Sequence, residues 1–173
     1  MKKWVLTKFG AARDSFKMVE SDDPVPGPGE VLIKVSHSGI NFADIVARNG
    51  LYDEAPQPPC VIGYDVSGEV AALGDGVTDL VVGSRVLALT RFGGYASHVV
   101  VPRSSVTAIP ANISQEHAPA LATQACTAWH CSRELVQLHA GDVVLVQAAA
   151  GGVGSMIVQM AKLHCYDKEV YWR

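Results

Sequence analysis

Three polar side chains in the first half of the sequence have the chemistry to hold a polarised ligand: the amide of Asn41 and the carboxylates of Asp44 and Asp65. Asn41 followed by Asp44 three residues later is typical of a helix N-terminus, where an amide caps and a carboxylate favours the helix dipole. Asp65 stands among glycines and apolar residues, where a buried carboxylate needs polar partners. Capping and local backbone bonding explain these residues as well as ligand binding does, so both interpretations stay open.

A glycine-rich stretch, VVLVQAAAGGVGSM at residues 143–156, predicts a strand, a tight turn and a helix in that order. Gly151, Gly152 and Gly154 allow backbone N–H groups to approach a diphosphate at the helix N-terminus, where the dipole favours negative charge. A glycine-rich turn between a strand and a helix that binds nothing has the same pattern. The context nevertheless favours a nucleotide-binding loop.

The elements that position these residues follow from hydrophobic periodicity. The alternation in VLIKVSHSG predicts a strand with Val31, Ile33 and Val35 on one face and Lys34 and Ser36 on the other. A short helix is predicted from Asn41 to the stop at Gly50. A longer helix begins at Ser114 and runs, with a break, towards residue 141. The other predicted elements are strands at residues 65–74, 84–90, 95–102 and 142–148, and a helix over residues 153–165.

Composition excludes several classes of protein. Apolar residues make up 49% of the 173 residues and charged residues 18%, which suits a packed core. A net charge of −3 with only 14 Lys and Arg argues against a nucleic-acid partner. No run is long and apolar enough for a membrane span, and the N-terminus lacks the apolar core of a signal peptide. We therefore expect a cytoplasmic protein whose four cysteines, at positions 60, 126, 131 and 165, are reduced thiols.

Six motifs in order resemble the medium-chain dehydrogenase/reductase superfamily, specifically its quinone-oxidoreductase-like branch. They are PGPGEVLIKVSHSGINFAD, IGYDVSGEVAALGDGV, GSRVLAL, GGYASHVVVP, TAWH and AAAGGVG, and the resemblance covers about residues 1–164. It implies a mixed fold, α+β followed by α/β. A GroES-like β-barrel-type domain over residues 1–122 would be followed by an incomplete Rossmann unit over residues 123–173.

The resemblance also bears on metal binding. Where zinc alcohol dehydrogenases of this superfamily carry a Cys, a Gly-His-Glu and a second Cys, this sequence has Asn41, Gly63-Tyr64-Asp65 and Thr123. Amide, phenol and hydroxyl groups do not assemble a site of thiolates and imidazole, so no zinc is expected. The four-cysteine lobe for structural zinc is also missing, since only TRFGG lies between Leu89 and Tyr95.

Without a metal, the implied chemistry is hydride transfer from NADPH or NADH to a quinone or an α,β-unsaturated carbonyl. The resemblance assigns the catalytic roles to Asn41, Asp44 and Tyr52, with Tyr52 as hydrogen-bond or proton donor. Asn41 would also contact the cofactor, and Thr127 would lie near its nicotinamide end. The residues that would hold the diphosphate are Ala150, Gly151, Gly152, Val153 and Gly154.

The resemblance fails after Leu163, where the family continues with a glycine turn and a second apolar strand. This chain has an atypical tail, CYDKEVYWR at residues 165–173, which indicates a truncated form with weak or no activity. Two alternatives to quinone reduction stay open. One is enoyl reduction; the other is a non-catalytic GroES-like module that binds a partner or a full-length paralogue through its exposed β–α unit and forms a concentration-dependent oligomer.

Overall fold

The computed structural model describes residues 1–137, 139, 141–164 and 171–172. The chain divides into two compact units, which span Met1–Pro119 and Ala120–Arg173. Among the helices in these ranges, none has both the length and the apolar composition needed to cross a bilayer. Each unit is described below by itself.

The first unit is mostly β-structure. A hairpin of β1 and β2 lies beside a five-stranded antiparallel sheet with strand order β6-β3-β4-β5-β7. The elements are β1 (Lys2–Leu6), α1 (Ala12–Ser15), β2 (Phe16–Glu20), β3 (Glu30–Ser38), α2 (Phe42–Arg48), β4 (Asp65–Leu73), β5 (Arg85–Leu89), β6 (His98–Pro102), a 3₁₀ turn (Arg103–Ser105) and β7 (Val106–Ala108).

The core of this unit lies on one face of the curled sheet. Val31 and Ile33 on β3 are fully buried and Val35 is partly buried, as the alternating pattern predicts. They pack against apolar residues from every other strand of the sheet, namely Val66, Val70, Val86, Ala88, Val99, Val101 and Val106. Because each of these strands contributes β-branched or small side chains at every second position, the sheet covers its own inner face.

The four strands predicted in this region are confirmed as β3, β4, β5 and β6, with ends within a few residues of the predicted ones. The sequence analysis did not anticipate β1, β2 or β7. The strand β2 has little hydrophobic signal because four of its five residues are exposed, and β7 is only three residues long. The predicted mixed fold, a β-rich first part followed by a short α/β part, is observed.

Helix α2 forms where the sequence predicts it. Asn41 is its N-cap in extended conformation, and the Asp44 carboxylate accepts a hydrogen bond from the Asn41 backbone N–H at 2.8 Å. The helix ends at Asn49, and the chain then turns through Gly50 with a φ of 73°. A side chain at that φ is strained, which explains why a glycine stops the helix there.

The second unit contains most of α3 (Ala118–Trp129), a π-helical turn (His130–Leu135), β8 (Leu145–Val146), α4 (Gly152–His164) and β9 (Tyr171–Trp172). The long helix begins at Ala118, within a few residues of the start predicted after the N-cap Ser114, whose carbonyl accepts from the Ala118 N–H at 3.1 Å. The Ser114 hydroxyl accepts from the His117 backbone N–H at 3.3 Å in a turn that precedes the helix. The predicted break is observed, because regular α-helix ends at Trp129 and the π-helical turn follows.

The strand, glycine loop and helix predicted over residues 142–165 are present in the second unit, although the strand is shorter than predicted. Only Leu145 and Val146 form β8, and they pair in parallel with Tyr171 and Trp172 of β9. Residues 171–172 of the atypical tail thus form a short strand beside the one that leads to the glycine loop. The rest of the atypical tail, residues 165–170 and 173, lies outside the described residues.

Candidate functional site

The amide of Asn41 lies in a buried polar cluster of the first unit. Its Nδ2 donates a hydrogen bond to the Asp65 carboxylate, with 3.2 Å between Nδ2 and Oδ2. Asn41 is 8% exposed and Asp65 is 1% exposed. The N-cap of α2 and the first residue of β4 are thus joined through their side chains. The structure confirms the prediction that a buried Asp65 needs a polar partner and shows that a side chain provides one.

Asp44 is the second carboxylate of this cluster. It lies one helical turn after Asn41, is 3% exposed, and interacts with the Tyr95 hydroxyl as well as with the Asn41 N–H. Burial raises the pKa of the Asp44 carboxyl, and the nearby charge of Asp65 raises it further, while the hydrogen bonds act in the opposite direction. The charge of Asp65 therefore disfavours ionisation of Asp44, and donors at Asn41 and Tyr95 partly offset that cost.

Two tyrosines continue the cluster towards the surface. Tyr64 precedes Asp65 and packs edge-on against Tyr52, with ring centroids 6.2 Å apart, and against Phe92 at 5.3 Å. Burial raises the pKa of the Tyr64 phenol, and the neighbouring Tyr52 raises it further. The Tyr64 phenol is therefore neutral at physiological pH. Tyr52 is 36% exposed and is the accessible member of the pair.

Glycines provide the space that the cluster occupies. A Cβ on Gly39 would overlap the Asp65 carboxylate, so only glycine leaves room for that side chain. Gly63 has a φ of 106°, and a Cβ there would lie 2.8 Å from the Tyr95 backbone nitrogen. The carbonyl of Gly63 accepts from the Thr90 hydroxyl at 2.7 Å. The turns at Gly39 and Gly63 therefore hold the two carboxylates close together.

The first unit also contains an open cavity of about 670 Å³ next to α2 and the β1–β2 hairpin. Of the predicted catalytic residues, only Asp44 lines it, together with its partner Tyr95. Asn41 and Tyr52 do not line the cavity. Most of its wall is apolar, with Trp4, Phe16, Met18, Val35, Ile40 and Ile45 among the lining residues.

The glycine loop of the second unit is a tight turn between β8 and α4. Ala148 has a φ of 51°, in the left-handed region that favours glycine, and its carbonyl accepts from the Gly151 N–H at 2.9 Å. A Cβ on Gly154 would lie 2.8 Å from the Ala149 Cα, so helix and turn touch at this glycine. The loop therefore directs the first N–H groups of α4 to its tip, where an anion would be stabilised.

Two residues of α3 lie in the same unit as the loop. A Cβ on Gly152 would lie 2.5 Å from the Gln124 Cδ, so glycine permits this close packing of the loop on α3. Thr127 is exposed, and its hydroxyl donates to the Thr123 carbonyl at 2.6 Å within the helix. The Thr127 oxygen is thus committed as a donor and retains only its capacity to accept from a ligand.

The structure brings together some of the predicted site residues and adds others. Asn41 and Asp44 belong to one buried cluster, and Tyr52 touches it through Tyr64. Sequence reasoning gave no site role to Tyr95, which is the phenol that faces Asp44. Tyr95 is 51 residues away in the chain, and only the pairing of strands brings it near, so no local pattern signals it. Within the described residues, no group of three or more His, Cys, Asp or Glu side chains is arranged to hold a metal ion.

Comparison with known sequences agrees with this architecture. Residues 27–111 match the family described as the alcohol dehydrogenase GroES-like domain. The human protein named synaptic vesicle membrane protein VAT-1 homolog is 39% identical over 160 residues, which cover 91% of this chain and 40% of that protein. A probable quinone oxidoreductase of Schizosaccharomyces pombe is 39% identical over 147 residues, covering 84% of this chain and 44% of its own length.

Solved structures of quinone and enoyl reductases are also similar to this chain. Escherichia coli quinone oxidoreductase in complex with NADPH superposes with a TM-score of 0.87 at 30% identity, covering 95% of this chain and 50% of that one. The CurK enoyl reductase superposes with a TM-score of 0.90 at 27% identity, covering 99% and 53%. The chain thus spans about half or less of the length of the relatives it matches. It belongs to the medium-chain dehydrogenase/reductase superfamily, in the quinone-oxidoreductase-like branch.

Proposed function

We propose that this chain is part of a zinc-independent NAD(P)H oxidoreductase that transfers a hydride to a quinone or an α,β-unsaturated carbonyl. The observation that carries the proposal is the buried cluster of Asn41, Asp44 and Asp65, in which an amide lies where zinc dehydrogenases carry a thiolate ligand. The relatives named as quinone oxidoreductases, one of them solved with NADPH, support the same reaction class.

The choice of a metal-free reaction rests on the donor types in the cluster. Zinc sites in proteins are built chiefly from cysteine and histidine, with an open position for the substrate. Around Asn41 the side chains are instead two carboxylates and the phenol of Tyr95. Carbonyl polarisation would then come from hydrogen-bond donors of the protein, for which we propose Asn41 and the accessible Tyr52 hydroxyl.

When bound, NADPH would supply the hydride, and the residues of this chain would hold and orient it. We propose that the N–H groups of Gly152, Val153 and Gly154 bind the diphosphate, with Ala150 and Gly151 shaping the turn. Thr127 would accept a hydrogen bond from the nicotinamide end of the cofactor. Asp44 would position Asn41 through its backbone, since its carboxylate bonds the Asn41 N–H.

The 173 residues by themselves are expected to bind the cofactor weakly and to have weak or no activity. Three backbone hydrogen bonds at about 1 kcal/mol each give about 3 kcal/mol. That is less than the binding free energy of about 4 kcal/mol that corresponds to a dissociation constant of 1 mM. Tight binding therefore requires contacts beyond those of the loop.

Titration of NADPH into the ¹⁵N-labelled chain tests the proposal. We expect amide shifts confined to Gly151–Gly154 and Asn41, with saturation only at millimolar NADPH. A Gly154→Ala variant is the matched control, because its Cβ would displace the turn at Ala149 without changing any charge. Shifts that are absent in the parent chain, or equal in the variant, would contradict the assignment of the loop.

Enoyl reduction is the second candidate, and the structural similarity to the CurK enoyl reductase favours it specifically. Both reactions deliver a hydride to a conjugated carbonyl compound, so the same donors would serve either. Steady-state oxidation of NADPH by a quinone and by an enoyl thioester, measured side by side, separates them. A chain that oxidises NADPH with neither acceptor, and that forms concentration-dependent oligomers in light scattering, would instead be the interaction module.

A further inference from the structure

The Asn41 amide is held in a single orientation by its surroundings. Its nitrogen end faces the Asp65 carboxylate at 3.2 Å, while the Asp44 N–H donates to the Asn41 backbone carbonyl at 3.0 Å. A carboxylate offers only acceptors, whereas a side-chain amide has a donor end and an acceptor end. Rotating the amide by half a turn would place its oxygen against a carboxylate oxygen of Asp65 and lose this hydrogen bond.

Asp65 itself is held in place. It is the first residue of β4, and its backbone pairs with Leu89 of β5. Its carbonyl accepts from the Gly39 N–H at 3.1 Å, and its carboxylate fills the space left by the missing side chain of Gly39. Because this packing fixes the Asp65 carboxylate next to Asn41, the same orientation of the Asn41 amide is always favoured.

We infer that Asp65 is a positioning residue that makes Asn41 a hydrogen-bond donor to a carbonyl oxygen of the bound ligand. The Asn41 nitrogen carries two hydrogens, and Asp65 takes one of them. The other has no partner among the residues that the structure describes. A ligand at this point must therefore bring an acceptor, which is the oxygen of a quinone or enone, or that of the nicotinamide carboxamide.

The identity of the ligand in this assignment rests on the proposed function. The assignment adds that Asn41 donates the hydrogen bond and that the ligand accepts it. An Asn41 free to rotate would accept from the carboxamide NH₂ group as readily as it would donate to a carbonyl. Asp65 removes the first possibility. Selectivity for carbonyl compounds thus originates in Asp65, which is 1% exposed and acts through Asn41 without contacting the ligand.

The side-chain amide signals of Asn41 in ¹H–¹⁵N spectra test the orientation without any ligand. An Asn41→Ser variant assigns the pair of signals by their loss. In the parent chain we expect the two hydrogens to differ widely in chemical shift and in exchange rate, because only one is bonded to a carboxylate. Two hydrogens with equal shifts and equal exchange rates would overturn the inference.

Asp65→Asn is the direct variant, since it keeps the volume and removes the charge. We expect the separation between the two Asn41 signals to collapse or a second set of signals to appear, because an amide at position 65 would accommodate either orientation. Asp53→Asn removes the same charge at an exposed position outside the cluster and should leave the signals unchanged. Should Asp65→Asn lose the dispersed spectrum of a folded chain, the parent spectrum alone still decides the orientation.

Two ligands separate the sources of the carbonyl oxygen. Duroquinone tests a substrate carbonyl and NADPH tests the carboxamide, and the unbonded Asn41 hydrogen should shift with at least one of them. We expect the affinity for that ligand to be at least tenfold weaker in Asp65→Asn, which equals about 1.4 kcal/mol. NADPH shifts at Gly152–Gly154, with no shift of the Asn41 hydrogen by either ligand, would overturn this inference and leave the proposed function standing. Shifts at neither place would contradict the proposed function as well.

Discussion

The two units of the molecule differ in how completely they bury their apolar residues. In the first unit, Ile33 and Val66 are fully buried within a sheet of five strands. In the second unit, Val143 and Leu145, at the strand that leads to the glycine loop, are 69% and 67% exposed. Strand residues of the same chemical type therefore have opposite environments in the two units.

The difference follows from the number of elements that each unit contains. Five antiparallel strands with a curl cover one face of their sheet by themselves. In the second unit β8 has only two residues, and within the described part of the chain one of them, Val146, is buried while the other, Leu145, is 67% exposed. The cluster around Asn41 thus lies in a sheet that buries one of its own faces, whereas the glycine loop follows a strand that is only half covered.

The largest effect that tests this comparison is on stability. Ile33→Ala removes a fully buried side chain from the sheet and should lower the free energy of unfolding by about 2–5 kcal/mol. Leu145→Ala is the matched change in the second unit, and because Leu145 is largely exposed, it should cost no more than about 0.5 kcal/mol. Urea denaturation followed by circular dichroism measures both. If both variants lowered the free energy of unfolding equally, the two units would not differ in how they bury these side chains.

The next effect is on association. Exposed Val143 and Leu145 beside a short strand favour pairing between chains. We expect concentration-dependent oligomers of the parent chain in light scattering, and Leu145→Lys should shift the population towards monomer. Val25→Lys is the control, since Val25 is 86% exposed but lies in the first unit, outside any strand. If both variants change the oligomer equally, general solubility rather than the β8 surface explains the association.

The sequence predicts the local elements of the first unit but not the contacts between distant residues. The alternation in β3 and the capping pair at Asn41 are local signals, so the strands and α2 follow from them directly. The Asp65–Asn41 contact and the Tyr95–Asp44 contact join residues 24 and 51 positions apart, and only strand pairing creates them. Ser114 is a further local signal, because its hydroxyl and carbonyl accept from the His117 and Ala118 N–H groups just before regular α3 begins.

A smaller effect concerns the pH dependence of stability in the first unit. Burial raises the pKa of Asp44 in the folded chain, so the unfolded chain loses its proton first, at its pKa of about 3.9. Over the window between the unfolded and folded pKa, the folded state binds more protons, and stability falls as the pH rises. Asp44→Asn has no such group, so the stability of the parent minus that of the variant should fall through this window and then stay constant.

Unfolding free energies at a series of pH values from mildly acidic to neutral provide this measurement. The difference between parent and variant is the relevant quantity, because other carboxyls have the opposite dependence. The Arg103 guanidinium lowers the pKa of Asp79, for example, and this contribution is common to both proteins. A parent-minus-variant difference that rises with pH would show that hydrogen bonds, rather than burial, dominate at Asp44.

The central claim is that Asn41 and its carboxylate partners form a metal-free polar site, and the zinc content of the chain tests it most directly. The chain should be purified in buffer supplemented with zinc, dialysed without chelator, and analysed for metal by mass spectrometry. The account predicts far less than one zinc per chain, and unchanged Asn41 side-chain signals after EDTA is added. One tightly bound zinc per chain, whose removal shifts the Asn41 signals, would contradict it.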